Sequence, residues 1–348
     1  MVHTLATEYS IAVITGQFLI AAAFIGFFGV KMTYVARDLA QASGLGEAFT
    51  GAVFIGAATS LSGIIASVTA ASQGHASLAV SNSLGGIAAQ TLFLVLADLV
   101  YRKANLEFAA ASVENMMMSA QLMLLLCLLL VAFTVPDISF LAIHPASLLL
   151  IAAYLFTVKM LVDTHQKPMW LPRRSYGTVR EQRVSRVVQP GSVGLAPLIF
   201  KFLGCSLVVG LSGWLIATSG MAIVEHAGLS AGIIGGIFVA CATSLPELVI
   251  AITAIRAGAL ALAVGDIVGG NAFDTLFVAV ADLFYRDGSI YQAISGQESV
   301  WLGTAMLMNC TLLLGLMYRE RKGFANIGME SLIILLIYIG AITYLSIN

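Results

Sequence analysis

Two carboxylates stand inside otherwise apolar stretches of this sequence: Glu247 in ATSLPELVIAITAI and Asp274 in GDIVGGNAFDTLFVAVA. A carboxylate deep in a membrane-length apolar segment is costly and is retained mainly where it meets an ion, a proton or a partner. No Lys or Arg occupies the middle of any such segment, which leaves a bound cation or proton as the neutraliser. Neutral oxygens flank both acids. Thr243 precedes Glu247 by four residues and shares its helical face. Pro246 has no N–H and its ring clashes with the carbonyl one turn earlier, so the main-chain oxygens of Ala242 and Thr243 are expected to be free near Glu247. Asn271 lies three residues before Asp274, on the same face. Carboxylate, hydroxyl and carbonyl oxygens together are the ligand set of hard cations such as Ca²⁺ and Na⁺. Asp266 belongs to the same polar stretch, two turns into its segment, and stands either as a further polar group of the site or as a packing residue.

These segments are one half of a duplication. Residues 59–102 and 243–286 align without a gap at an offset of 184, with 20 of 44 positions identical. The register extends further: Phe18 matches Phe202, Gly26 matches Gly210, Gly29 matches Gly213, Gly51 matches Gly235 and Glu114 matches Glu298. Thr59 and Ser60 repeat the hydroxyl pair Thr243 and Ser244. The acids are not repeated: Ser62, Gly63, Asn82, Ile87 and Gln90 stand opposite Pro246, Glu247, Asp266, Asn271 and Asp274. Polar chemistry is concentrated in the second copy, and Gly63 is expected to leave open volume opposite Glu247 that water or a partly hydrated ion fills.

At 59% hydrophobic and 10% charged residues, the chain has more apolar surface than a soluble globule of its size can bury, and it is read as a polytopic membrane protein. Apolar runs near 11–31, 48–72, 76–100, 115–135, 139–161, 196–221, 230–255, 259–284, 299–318 and 327–347 predict ten spans, five in each copy. An odd number of spans per copy inverts the second copy in the membrane, the architecture of many secondary transporters. The expected organisation is a first five-helix repeat over 1–161, a basic linker over 162–195 and a second five-helix repeat over 196–348. With the linker cytoplasmic, sixteen of the seventeen Lys and Arg residues fall inside and only Arg286 outside, which puts both termini outside. The compact, loop-poor chain suits a prokaryotic inner membrane.

Other features carry blander readings. Cys127, Cys205, Cys241 and Cys310 lie in apolar spans without metal or redox spacing and read as small buried residues. Asp98 and Asp282 sit at helix ends and read as caps, and His75 as a loop histidine. No GxSxG, HExxH or P-loop pattern supports a hydrolase or an ATP-driven pump, so the chain is not expected to be an enzyme or to use a cofactor. The net charge of −1 gives no reason to expect nucleic-acid binding.

At Ala242-Thr243-Ser244-Leu245-Pro246-Glu247 and Gly269-Gly270-Asn271-Ala272-Phe273-Asp274 the chain resembles the cation/calcium exchanger superfamily, the sodium/calcium exchangers and their bacterial relatives. Their two repeats carry G-T-S-x-P-E on one helix and G-S-N-x-x-[ND] on the next. The resemblance implies an all-α, ten-helix fold of two inverted repeats, with ions bound between the second, third, seventh and eighth helices. It also implies a mobile first and sixth helix at Gly26, Gly29, Gly210 and Gly213. The family site uses one glutamate from each repeat. Here Gly63 replaces the first, so the acids supply a charge of about −2, enough for one divalent ion but not for several Na⁺ in a low-dielectric site.

The leading expectation is a secondary antiporter exchanging Ca²⁺ or a related cation against Na⁺ or H⁺. Its metal ligands would be Glu247, Asp274, Thr243 and Thr59, with Ser60, Ser244, Gln90 and Asn271 supplying neutral oxygens or positioning the helices. Its partners would be inorganic cations and the lipid bilayer. Two other readings stay open: a proton-coupled or monovalent-selective exchanger, and a relative that has lost transport and acts as a sensor or scaffold.

Overall fold

A computed structural model describes residues 10–43, 59–101, 104–136, 138–140, 143–166, 195–256, 260–320 and 328–347. The helices of the first copy are α1 (Ile11–Ser43), α2 (Leu61–Ser72), α3 (Ala76–Val100), the short α4 (Leu106–Ala110), α5 (Val113–Thr134) and α6 (Pro145–Gln166). Those of the second copy are α7 (Leu195–Ala227), α8 (Ala231–Thr243), α9 (Leu245–Arg256), α10 (Leu260–Asp274), α11 (Leu276–Phe284), α12 (Gly296–Tyr318) and α13 (Met329–Ile347). Among the described residues eight segments are long and apolar enough to cross a membrane, and α8 with α9, which meet at 48°, make a ninth. The expected span at 48–72 begins outside the described residues and is represented by the shorter apolar helix α2. α6 runs on to Gln166, into the stretch expected as linker, whose residues 167–194 lie outside those described.

The helices are ordered by how much water-free surface each must satisfy. In α3, 94% of the most apolar stretch is buried, against 28% in α1 and α6, so α3 is the central post and α1 and α6 present broad apolar faces outward. Exposed Leu19, Phe24, Phe27, Leu148, Phe156 and Phe200 are what a lipid-facing surface requires. α3 crosses α8 where Ile234–Val239 widens into a π-helical turn. There a side chain on Gly85 would run into the main chain of Gly236, and one on Gly236 into the Trp301 indole, whose Nε1 donates to Gly232 O at 3.1 Å. Backbone meets backbone at this crossing, which only small residues allow.

The duplication recurs in the corner contacts. Asp98 accepts from the main-chain N of Leu106 at 2.8 Å and of Gly328 at 3.0 Å. Asp282 accepts from Ile290 N at 3.4 Å and His144 N at 2.8 Å, the positions 184 away. Both acids thus satisfy main-chain donors where the chain turns back into a helix, as the capping reading expects. His75 lies in the turn between α2 and α3, where partial burial lowers its pKa against the opposing pull of Glu225. The cysteine expectation is corrected: all four are free, but Cys310 is exposed and the other three are partly exposed. Lipid-facing helix surface accepts a small apolar thiol as readily as a protein core does.

Gly85→Ala is expected to lower thermal stability in detergent by about 1–3 kcal/mol, because neither main chain at the crossing can yield. Gly303→Ala, in open space within α12, should be neutral or stabilising by up to about 1 kcal/mol. Equal melting temperatures for the two variants would refute this account of the crossing.

Candidate cation-binding site

Ser244 and Ser60, equivalent in the two copies, each interrupt helix among the described residues. Ser244 takes φ −95°, ψ 9° between α8 and α9, and Ser60 takes φ −82°, ψ 1° before α2. The helix resumes with Leu248 N on Ser244 O at 3.4 Å and Ile64 N on Ser60 O at 3.0 Å. Pro246 cannot be the sole cause, since the first copy makes the break with Ser62 in its place. Ser62 Oγ donates to Thr243 O at 3.1 Å, so one of the main-chain oxygens expected to be free is bonded across the repeats. A second interruption, at Thr275, separates α10 from α11 and has no break opposite it in α3.

The breaks bring the polar residues to one place. Asp274 Oδ1 accepts from Ser60 Oγ at 2.7 Å, and its Oδ2 accepts from Gln90 Nε2 at 2.6 Å. Gln90 Nε2 also reaches Ser244 Oγ at 3.1 Å. These contacts mirror one another, because Ser60 corresponds to Ser244 and Gln90 to Asp274. Asp274 and Gln90 therefore meet on the pseudo-twofold axis. Ser83 Oγ holds the main-chain oxygen of Asp274 at 2.7 Å. Glu247 is hydrogen-bonded by Thr59 and shares its electrostatic neighbourhood with Asp274 and Asp266. Thr243 Oγ1 lies 3.3 Å from Asn82 Oδ1 and 3.1 Å from Ala240 O. Asn271 Nδ2 donates to Thr91 Oγ1 at 3.0 Å.

All eight site residues singled out from the sequence are buried: Thr59, Ser60, Gln90, Thr243, Ser244, Glu247, Asn271 and Asp274. Ser60, Gln90, Ser244 and Asp274 form one hydrogen-bonded group and Thr59 pairs with Glu247, whereas Thr243 Oγ1 turns to Asn82 and Ala240 and Asn271 turns its amide nitrogen to Thr91. Sequence reading overlooked Ser62, Ser83 and Thr91 as hydrogen-bond partners. Ser62 could have been found from its place opposite Pro246, but nothing in their own spacing marks Ser83 or Thr91.

Four buried oxygens here have no hydrogen-bond partner: Glu247 Oε2, Gln90 Oε1, Asn271 Oδ1 and Oδ2 of Asp266. The donors reaching Asp274 are neutral. Like charges in a low-dielectric interior repel, so the two acids remain ionised together only if positive charge joins them. Among the described residues no three acidic, His or Cys side chains are grouped closely enough to form a metal site on their own. A cation here would therefore draw on hydroxyl, amide and main-chain oxygens as well as the carboxylates, which suits a hard ion.

The open volume expected at Gly63 is not there. A side chain at Gly63 would collide with Cε2 and Cζ of Phe277, whose ring fills the place opposite Glu247. Close packing of the apolar ring excludes the water expected in that gap. Gly29 and Gly213, from α1 and α7, abut Pro246 and the main chain of Ser62, so the two outer helices rest directly on the broken segments.

The fold and site can be set beside known proteins. The family described as sodium/calcium exchanger protein matches residues 13–162 and 197–347. CaxA of Alkalimonas amylolytica, assigned as an antiporter, is 26% identical over 312 residues, covering 89% of this chain and 91% of its own. The inner membrane protein YrbG of Escherichia coli K12 is 24% identical over 278 residues, covering 79% and 81%. The crystal structure of the H⁺/Ca²⁺ exchanger CAX superposes with a TM-score of 0.64 at 14% identity, covering 99% of this chain and 89% of that one. The sodium-calcium exchanger NCX_Mj, soaked with Na⁺ and Sr²⁺, gives 0.59 at 16% identity over 96% and 99%.

Gly63→Glu alone is expected to lower the melting temperature by several degrees, because overpacking against Phe277 costs about 1–3 kcal/mol. Adding Phe277→Ala should recover part of that loss in a double-mutant cycle. Additive losses would show that the ring and the glycine do not share one space. With both copies matched by one family profile and the whole bundle superposing on two exchangers, the chain belongs to the sodium/calcium exchanger family.

Proposed function

We propose that the chain is a secondary cation antiporter that exchanges Ca²⁺ or a related cation against Na⁺ or H⁺ by alternating access. Glu247 and Asp274 are its charged ligands. Thr59, Ser60, Thr243, Ser244, Gln90 and Asn271 supply neutral oxygens or hold the helices around them. The observation that carries this reading is the pairing of the buried Glu247 and Asp274 carboxylates with neutral donors alone, beside further oxygens that lack partners. A charge of about −2 in a low-dielectric centre matches one divalent ion and leaves several bound Na⁺ uncompensated. Phe277 against Gly63 removes the lobe in which a second glutamate would stand, and this favours fewer Na⁺ per cycle or protons in their place.

In this reading α1 and α7, resting by Gly29 and Gly213 on the broken segments, rock against the rest of the bundle and open the site to either face. The repeats are 1–161 and 196–348, and the linker between them is cytoplasmic with both termini outside. The basic residues support that orientation, and the inner-membrane relative from E. coli supports a prokaryotic inner membrane.

Uptake of ⁴⁵Ca²⁺ into proteoliposomes under an imposed Na⁺ or proton gradient tests the proposal. Wild-type protein should accumulate the ion under one gradient, and both Glu247→Gln and Asp274→Asn should fall to the background of empty vesicles. Saturating Ca²⁺ at ~100 times the Kd of this site should add about 2.7 kcal/mol of thermal stability to the wild type beyond whatever either variant gains. Folded protein that carries no Ca²⁺ under either gradient and gains no more stability from it than the Glu247→Gln and Asp274→Asn variants do would overturn this function.

A further inference from the structure

The helices cross the membrane alternately, so the end of the bundle from which the linker leaves also carries the end of α3, all of α4 and the start of α13. Three acids meet there: Asp98, Glu107 and Glu330, all buried. Asp98 is occupied by its two main-chain donors. Glu107 Oε1 accepts from Ser331 Oγ at 3.2 Å. Glu107 Oε2 and Glu330 Oε2 have no partner, although the two side chains are only 1% and 7% exposed.

Those two oxygens converge. The position a Cβ would take on Gly328 lies 2.8 Å from Glu330 Oε2, 3.1 Å from Glu107 Oε2 and 3.6 Å from Asn105 Cγ. The absence of a side chain at Gly328 leaves a point at which both carboxylates aim, and Asn105 is fixed beside it by its Nδ2 on Glu320 O at 2.8 Å.

The opposite end of the molecule shows that the fold does not need these acids. At the offset of 184, Glu107 corresponds to Tyr291, Glu330 to Ala146, Ser331 to Ser147, Asn105 to Ser289 and Gly328 to His144. There the tyrosine hydroxyl lies 2.8 Å from Ser147 Oγ, which itself donates to Asp282 Oδ2 at 2.7 Å. The same corner is thus built with a hydrogen-bonded tyrosine and an alanine. At the linker end, burial and the neighbouring carboxylates of Asp98 and Glu330 push the Glu107 pKa up to about 8.

We infer that Glu107 and Glu330, with Asn105 and the bare Gly328 beside them, form a second binding site for a hard divalent cation such as Ca²⁺, separate from the Glu247–Asp274 site. With two carboxylates and a neutral amide it is a sparse ligand set that water completes, which suits a sensing site more than a tight structural one. Because it ties α4 to the start of α13, an ion held there stabilises that end of the bundle.

Equilibrium ⁴⁵Ca²⁺ binding to the full chain in detergent tests the site in a background of Glu247→Gln with Asp274→Asn, which removes the acids of the central site. That variant, shown to be folded by its melting transition, is expected to retain one bound Ca²⁺ per chain. Adding Glu107→Gln should weaken the binding about tenfold or more, since affinity follows ligand charge. A second variant, Glu107→Tyr with Glu330→Ala, borrows the residues the other corner already folds with and should abolish it. Absence of Ca²⁺ binding in the folded background variant, or binding unchanged by both further sets of substitutions, would overturn the second site, whatever the fate of transport.

Discussion

The Glu247 and Asp274 carboxylates, enclosed at the centre of an apolar bundle with only neutral donors described on them, impose the condition to which the centre of this protein is built. Water is excluded, so each buried donor and acceptor must find a partner within the chain or in an ion. The chain meets that condition by interrupting its helices: the breaks at Ser60, Ser244 and Thr275 expose main-chain oxygens that regular helices would have used. Ser62 takes one of these on Thr243, and Ser83 takes another on Asp274. What remains unmatched is negative charge and carbonyl oxygen, the complement of a small hard cation.

Duplication turns this local solution into a symmetric one. A contact made by one copy recurs with its partners exchanged, so Ser60 with Asp274 is answered by Ser244 with Gln90. The residues on the axis face their own counterparts. The axis position matters for this reason: two acids facing each other there would repel, whereas glutamine opposite aspartate makes a hydrogen bond of 2.6 Å. The same relation organises both ends of the bundle, where Asp98 and Asp282 close equivalent corners.

Departures from that symmetry locate what the two halves do differently. Phe277 occupies the space beside Gly63, so the first copy contributes shape and hydroxyls where the second contributes charge. At the linker end, Glu107 and Glu330 replace a tyrosine and an alanine, and the corner acquires carboxylates that its counterpart lacks. Buried acids are expensive, and in each set at least one carboxylate oxygen has no donor: Glu247 Oε2 in one, Glu107 Oε2 and Glu330 Oε2 in the other.

Much of the fold was legible in one dimension, because apolar length predicts spans and a constant offset of 184 predicts repeated packing. Glu247 and Asp274 stood out for the same reason: a charge is conspicuous in an apolar run, whatever surrounds it. Sequence also named Ser60, Ser244 and Gln90 through their places in the repeat. It misjudged Gly63, because a missing side chain looks like a void until the neighbour that fills it is known, and Phe277 is 214 residues away. It expected the freed carbonyls from Pro246 alone, although Ser60 takes the same non-helical conformation in the first copy with no proline after it, and Ser62 there bonds the Thr243 oxygen. The convergence of Glu107 and Glu330 was not visible at all, since α4 and α13 lie far apart in the chain. The sequence by itself determined which segments enter the membrane, how they repeat and where charge is buried, since these depend on composition and period. Only the tertiary structure decided which oxygens keep a free lone pair and which spaces are filled, because those follow from contacts between helices distant in sequence.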